Sequence, residues 1–275
     1  MARRPSFDLR RRRSGTSRSS GPRWRKEKST TEPGEFRIND AIWELWNIRA
    51  LWPGADLEFL AEIKRRQDTF LAREREALAG LWAGDQAVLA PGHGFLSGHP
   101  QLAGGITLSL HIGPFQLLAE PYLAAGLDPV ILLNQSALKS FQEPTEAFLR
   151  KLGHKSRVHW IAVGAKGFTR DLVRAVRDGR PVLVYLDGNS GRQGMAETRH
   201  RGMPYQLPGR EIRVRTGLAR LMCRLGCPVH PVIVSWDEDD QLAWHKEPTR
   251  IWSRTDDPLA VTRELFDWAF QQIMT

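Results

Sequence analysis

Between Gly104 and Leu133 the chain reads GGITLSLHIGPFQLLAEPYLAAGLDPVILL, and this stretch restricts the fold more than any other. Ile106 to Leu110 is a short, apolar, partly β-branched run with the length and composition of a buried strand. Gly113-Pro114 breaks it, and Pro114 suits the first position of a helix. Phe115, Leu117, Leu118, Tyr122 and Leu123 give that helix an apolar side. Gly126 ends it, and Pro129 to Leu133 is a second buried strand. The stretch thus reads as strand, turn, helix, turn and strand. His111 falls between the first strand and its helix, at the carboxyl end of the strand, where open α/β sheets bind their ligands.

The pattern repeats down the chain. Strands are predicted over 106–110, 129–133, 157–163, 181–186, 229–235 and 241–245, and helices near 115–125, 143–152, 166–178, 211–225 and 258–273. The alternation predicts an α/β fold, a mainly parallel sheet flanked by helices. Trp236 to Gln241 is an acidic turn that would set the last two strands antiparallel. Residues 91–100 are rich in glycine and read as a loop. Upstream, residues 36–52 carry Trp43, Trp46 and Ala50 at helical spacing, which suits either core packing or a membrane interface. A second helix, from about residue 57 to Trp82, has one apolar and one charged face. The expected organisation is a disordered basic tail over 1–33, N-terminal helices over 34–99 and an α/β domain over 100–275.

Charge is distributed unevenly. The chain of 275 residues has a net charge of +9, but residues 1–33 hold eleven Lys/Arg against three Asp/Glu, leaving the remainder nearly neutral. The tail is either simply solvated or an electrostatic tether to an anionic surface. Nucleic acid is disfavoured as a partner, because the domain itself has neither a basic stripe nor a run of stacking aromatics. No apolar run reaches 18 residues, and no secretory leader is visible, so a cytoplasmic protein, peripheral to the inner face of a membrane if the tail is a tether, is expected. Cys223 and Cys227 are too few for a zinc site and read as reduced core residues. His93 and His99 have no acidic neighbour in sequence. Neither a P-loop nor a Gly-x-Ser-x-Gly elbow is present.

His111 is the strongest candidate for chemistry. The helix predicted to begin at Pro114 would disfavour an imidazolium and keep the ring able to accept a proton. Gln116, five residues on, would meet it across the Ile112-Gly113 turn. The plain alternative is a histidine bonded only to loop backbone.

SLHIGPFQLLAEPYLAAGLDPVILLNQ resembles the His-x4-Asp/Glu block of the lysophospholipid acyltransferase superfamily, and within it the lipid A late acyltransferase branch. The order of later segments is similar too. Leu172 to Leu186 followed by Asp187 resembles a strand ending in Asp, and Gly202 to Gly209 resembles the loop after it. Thr216 to Ala219 and Gly226 to Val232 resemble the next helix and strand. The similarity spans roughly residues 100–250. It implies a glycerolipid-acyltransferase-like fold and acyl or aminoacyl transfer from an acyl-carrier-protein or coenzyme A thioester to an amine or hydroxyl, with no further cofactor. By position, His111 is the general base and Asp187 the later acid, while Gln116 stands where the family has Glu or Asp. Asn134 stands near the usual Arg, and the family's N-terminal membrane span is missing. An amide cannot neutralise an imidazolium, which leaves a catalytically inactive scaffold as the alternative and otherwise favours an amine acceptor. Arg192, Arg199, His200, Arg201 and Arg210 form a basic loop suited to phosphate or an acidic carrier. Tyr205, in the same region, is a further candidate for substrate contact.

Overall fold

The computed structural model describes residues 52, 54–83, 89–187, 202–236 and 242–274. The tail, the tryptophan-rich 36–51 stretch, the acidic turn at 237–241 and the arginines of the 188–201 loop lie outside them.

Six strands form one sheet. They are β1 (Ile106–Ser109), β2 (Val130–Asn134), β3 (His159–Val163), β4 (Val182–Tyr185), β7 (Val229–Trp236) and β8 (Leu242–Lys246), in the spatial order β3-β2-β4-β1-β7-β8. All neighbours are parallel except β7 and β8. β5 (Met203–Leu207) and β6 (Arg210–Val214) make a separate antiparallel hairpin. The helices are α1 (Leu57–Ala83), α2 (Ala90–Gly98), α3 (Glu120–Ala124), α4 (Gln135–Leu152), α5 (Phe168–Arg177), α6 (Gly217–Leu225) and α7 (Pro258–Met274). None of the helices in the described residues is long and apolar enough to cross a membrane.

Alternation along β1 explains the layering. Ile106, Leu108 and Leu110 belong to a core that also holds Leu172 and Ala175 of α5, Met222 and Cys223 of α6, and Leu265 and Trp268 of α7. The other face carries Ile131, Leu183, Val232 and Val234 under Phe95 and Leu96 of α2, Leu117 and Leu118, Tyr122 of α3 and Leu149 of α4. Connections running from β1 through β2 to β3 therefore carry their helices on one face. Those returning from β3 through β4 to β7 carry theirs on the other, as right-handed crossovers require. β1 is buried along its whole length. Its polar Thr107 is accommodated because its hydroxyl and that of Tyr122 share a 2.6 Å hydrogen bond, which avoids the cost of an unpaired buried hydroxyl.

Four expectations need correction. The helix predicted over 115–125 is a 3-10 segment, Phe115–Ala119, followed by the five-residue α3. α4 starts two turns before Pro144, because the Asn134 side chain accepts the Ala137 N–H at 2.7 Å and caps it. The first part of the helix predicted over 211–225 is the strand β6, whose Ile212 and Val214 alternate with charged residues at period two. The glycine-rich 91–100 stretch is largely the helix α2. There the burial of Leu89, Phe95 and Leu96 outweighs the roughly 1 kcal/mol that each glycine costs a helix. Gly92 is needed in it, since a Cβ there would lie 2.8 Å from the Trp244 ring.

Both cysteines are buried and free, and burial pushes both thiols up from their ordinary value, as expected of core residues. Among the described residues no group of three or more His, Cys, Asp or Glu is arranged to hold a metal.

Candidate active site

β1 and β4 are adjacent parallel strands paired from Ile106–Val182 to Ser109–Tyr185. Continuing that register by two residues brings His111 opposite Asp187, so the meeting of these two side chains follows from strand pairing alone. The Asp187 carboxylate accepts the His111 backbone N–H at 3.0 Å to each oxygen, and its Oδ1 lies 2.8 Å from His111 Nδ1. Each side chain is about a third exposed, 32% for His111 and 31% for Asp187. A carboxylate only accepts hydrogen bonds, so Nδ1 carries a hydrogen, and in the neutral ring the lone pair is then on Nε2. Nε2 makes no hydrogen bond to any described residue.

The imidazole is held on two further sides. The Tyr185 ring lies 4.5 Å from it, centroid to centroid and tilted by 32°, and Phe115 stands edge-on at 4.7 Å. The Tyr185 hydroxyl donates to the Phe115 carbonyl at 2.9 Å, tying the two rings together. Burial, with help from the nearby Asp187 charge, pushes the Tyr185 phenol well above its ordinary value, so it remains a donor at neutral pH. Between strand and ring wall, Gly113 takes a left-handed conformation, φ 61°. Its α-carbon abuts β7 so closely that a Cβ would lie 2.0 Å from the Val234 carbonyl oxygen.

The predicted His111–Gln116 contact is not formed. Gln116 Nε2 instead donates to the Glu74 carboxylate of α1 at 3.5 Å. The reason is the 3-10 geometry after Pro114, which takes Phe115 to the imidazole and leaves Gln116 exposed on its outer side. With only 3-10 turns and a five-residue helix following, the helix-terminus effect expected at His111 has no long helix behind it. Asn134 is exposed at the carboxyl end of β2, and its side-chain oxygen serves as the N-cap of α4. Tyr205 is buried on β5, with its hydroxyl donating to Asp267 of α7 at 2.8 Å and its ring against Phe266. Its polar atom is engaged with the last helix. Arg192, Arg199, His200 and Arg201 lie outside the described residues, as does the Arg210 side chain. Tyr185, Phe115 and Glu74 were not anticipated. Tyr185 was open to detection, since it precedes Asp187 by two residues and shares its strand face. Glu74 carried no signal, being one charged residue among many on a helix.

No family model matches the chain, and no curated protein matches it.

Proposed function

We propose that the chain is an acyltransferase that moves an acyl or aminoacyl group from a thioester, carried on acyl carrier protein or coenzyme A, to an amine or hydroxyl, with His111 as general base. The observation that carries this reading is the 2.8 Å His111–Asp187 contact with Nε2 unengaged, at the carboxyl ends of two central parallel strands. It gains support from the order of segments in which the sequence resembles the lipid A late acyltransferase branch.

The step is ordinary acyl transfer. Nε2 takes the proton of the acceptor N–H or O–H as the acceptor attacks the thioester carbonyl. The new C–N or C–O bond forms, the C–S bond breaks, and the departing thiolate recovers the proton from Nε2. Asp187 fixes the tautomer and stabilises the imidazolium while it exists. With the acid supplied from β4, the amide at Gln116 no longer argues for a disabled site.

The test is release of free thiol from long- and short-chain acyl-CoA and acyl-carrier-protein donors, with intact mass spectrometry of the carrier. His111→Ala should reduce turnover by about 10³-fold or more while leaving the circular dichroism spectrum unchanged. An unaltered rate would remove the mechanism. Gln116→Glu is expected to bring no gain. The base already has its carboxylate, and a second acid would sit against Glu74, where like charges repel. A rate increase of tenfold or more would show instead that residue 116 reaches the imidazole during turnover.

A further inference from the structure

The hydrogen bond at Nδ1 settles which nitrogen of His111 carries a hydrogen, but not where Nε2 points. The imidazole can still rock about the line from Nδ1 to the Asp187 carboxylate, because the torsion between Cβ and a flat ring is broad. Two aromatic rings limit that motion. Tyr185 lies nearly parallel to the imidazole, 4.5 Å away, and Phe115 stands edge-on to it at 4.7 Å. Tyr185 and Phe115 also meet each other edge-on, at 5.6 Å and 77°. The three rings therefore touch in pairs, and none turns without displacing the other two. The Tyr185 hydroxyl closes the arrangement by donating to the Phe115 carbonyl at 2.9 Å. A phenylalanine would fill the same space, so packing alone does not call for that hydroxyl.

Both ends of the arrangement are anchored. Tyr185 pairs with Ser109 of β1, and the Leu186 N–H that follows donates to the Ser109 carbonyl at 2.9 Å. Phe115 opens the 3-10 segment, its N–H donating to the Gly113 carbonyl at 2.7 Å, and Gly113 abuts β7. The bond from Tyr185 to Phe115 thus joins the strand leading to Asp187 to the turn that follows His111.

We propose that Tyr185 is a positioning residue for the transfer: its ring fixes the plane of the His111 imidazole, and its hydroxyl, through Phe115, fixes the direction in which Nε2 presents its lone pair. This rests on the acyl-transfer reading of His111. Tyr185 takes no proton from the acceptor and gives none to the leaving thiolate. The proton passes from the attacking atom to Nε2 and on to sulfur, and the electron-rich face of Tyr185 stabilises the imidazolium in between. Asp187 selects the nitrogen that acts, and Tyr185 aims it.

The experiment uses the full chain with Tyr185→Phe, which removes only the hydroxyl, and Tyr185→Leu, which removes the ring. Circular dichroism gives the folded fraction of each. With the best thioester donor, Tyr185→Phe should lower kcat by about tenfold, the scale of one lost hydrogen bond. Tyr185→Leu should lower it by about 10²-fold, the scale of a base misplaced by about 1 Å. KM should stay near the wild-type value in both, since neither group binds substrate. The imidazole resonances of His111, identified by their loss in His111→Ala, should keep their ring-current shift in Tyr185→Phe and lose it in Tyr185→Leu. A wild-type kcat in Tyr185→Phe would overturn the tether, and in both variants it would overturn the positioning role altogether. Loss of the ring-current shift in Tyr185→Leu, with no thiol released by the wild type from any donor, would keep the stacking and overturn the acyl-transfer reading instead.

Discussion

Asp187→Asn should lower kcat by about 10³- to 10⁴-fold while KM stays close to the wild-type value. The scale comes from the equivalent amide replacement in serine proteases, where the wrong imidazole tautomer is the main cause. The same cause operates here. The carboxylate accepts from both the His111 backbone N–H and Nδ1. An asparagine has a single oxygen. If that oxygen keeps the backbone N–H, the amide NH₂ turns toward Nδ1 and donates to it. The ring hydrogen must then move to Nε2, where the base needs its lone pair. The fold should survive, because the site is at the end of the strands and not in the core. A loss of about 1–2 kcal/mol in denaturant unfolding is expected from exchanging charge-assisted hydrogen bonds for neutral ones. A variant with unimpaired turnover would mean that Asp187 is only a clasp for the loop, and that the imidazole works without it.

Gly113→Ala should be the most damaging single methyl that can be added near the site. The residue has φ 61°, a conformation costing alanine about 1 kcal/mol. The added Cβ would also lie 2.0 Å from the Val234 carbonyl oxygen and 3.1 Å from its carbon. Those atoms belong to the backbone of β7 inside the sheet and cannot turn aside as a side chain would. The turn must move instead, taking His111 with it. A destabilisation of about 2–4 kcal/mol is expected, read as a lower urea midpoint at unchanged slope. Activity should fall further than the unfolded fraction accounts for. Gly126→Ala is the matched control. Its φ is 77°, but a Cβ there meets nothing within 4 Å. It should show the conformational cost alone, about 1 kcal/mol, with turnover intact. Similar losses at the two positions would mean that the β1 turn yields easily and that close packing against β7 does not hold the histidine.

The sheet was legible in the sequence because its inner strands are short, apolar runs with clear bounds. Ile106 to Leu110, Val130 to Leu133 and Val229 to Val234 are too short and too apolar to be anything but covered strands, and Gly-Pro, Gly-Leu-Asp-Pro and Gly-Cys-Pro punctuate them. The long helices α1, α5 and α7 showed themselves by apolar periodicity. What failed were elements whose local preference is overruled by packing. α2 contains three glycines and a proline and is helical because Phe95 and Leu96 are pressed onto the sheet. β6 could pass for a charged helix until it is paired with β5 and the hairpin packs against Phe266 and Phe270 of α7.

The site divides along the same line. Sequence alone determined that His111 ends a buried strand, and that Asp187 ends another, because both follow directly on apolar runs. It did not determine that the two strands are neighbours. They are separated by 76 residues, and β4 returns to lie between β2 and β1 only because the crossover through α5 runs over the opposite face. That pairing makes Asp187 the partner of the imidazole. The local spacing had pointed to Gln116, which a tight 3-10 turn carries away from the ring. Glu74 is the extreme case. Nothing within α1 distinguishes it from the other acids of a charged face, and only tertiary packing sets it beside Gln116. Local sequence can specify which residues end strands and turn corners, since those are short-range steric and burial effects. Which ends meet is decided by strand order, a property of the assembled sheet.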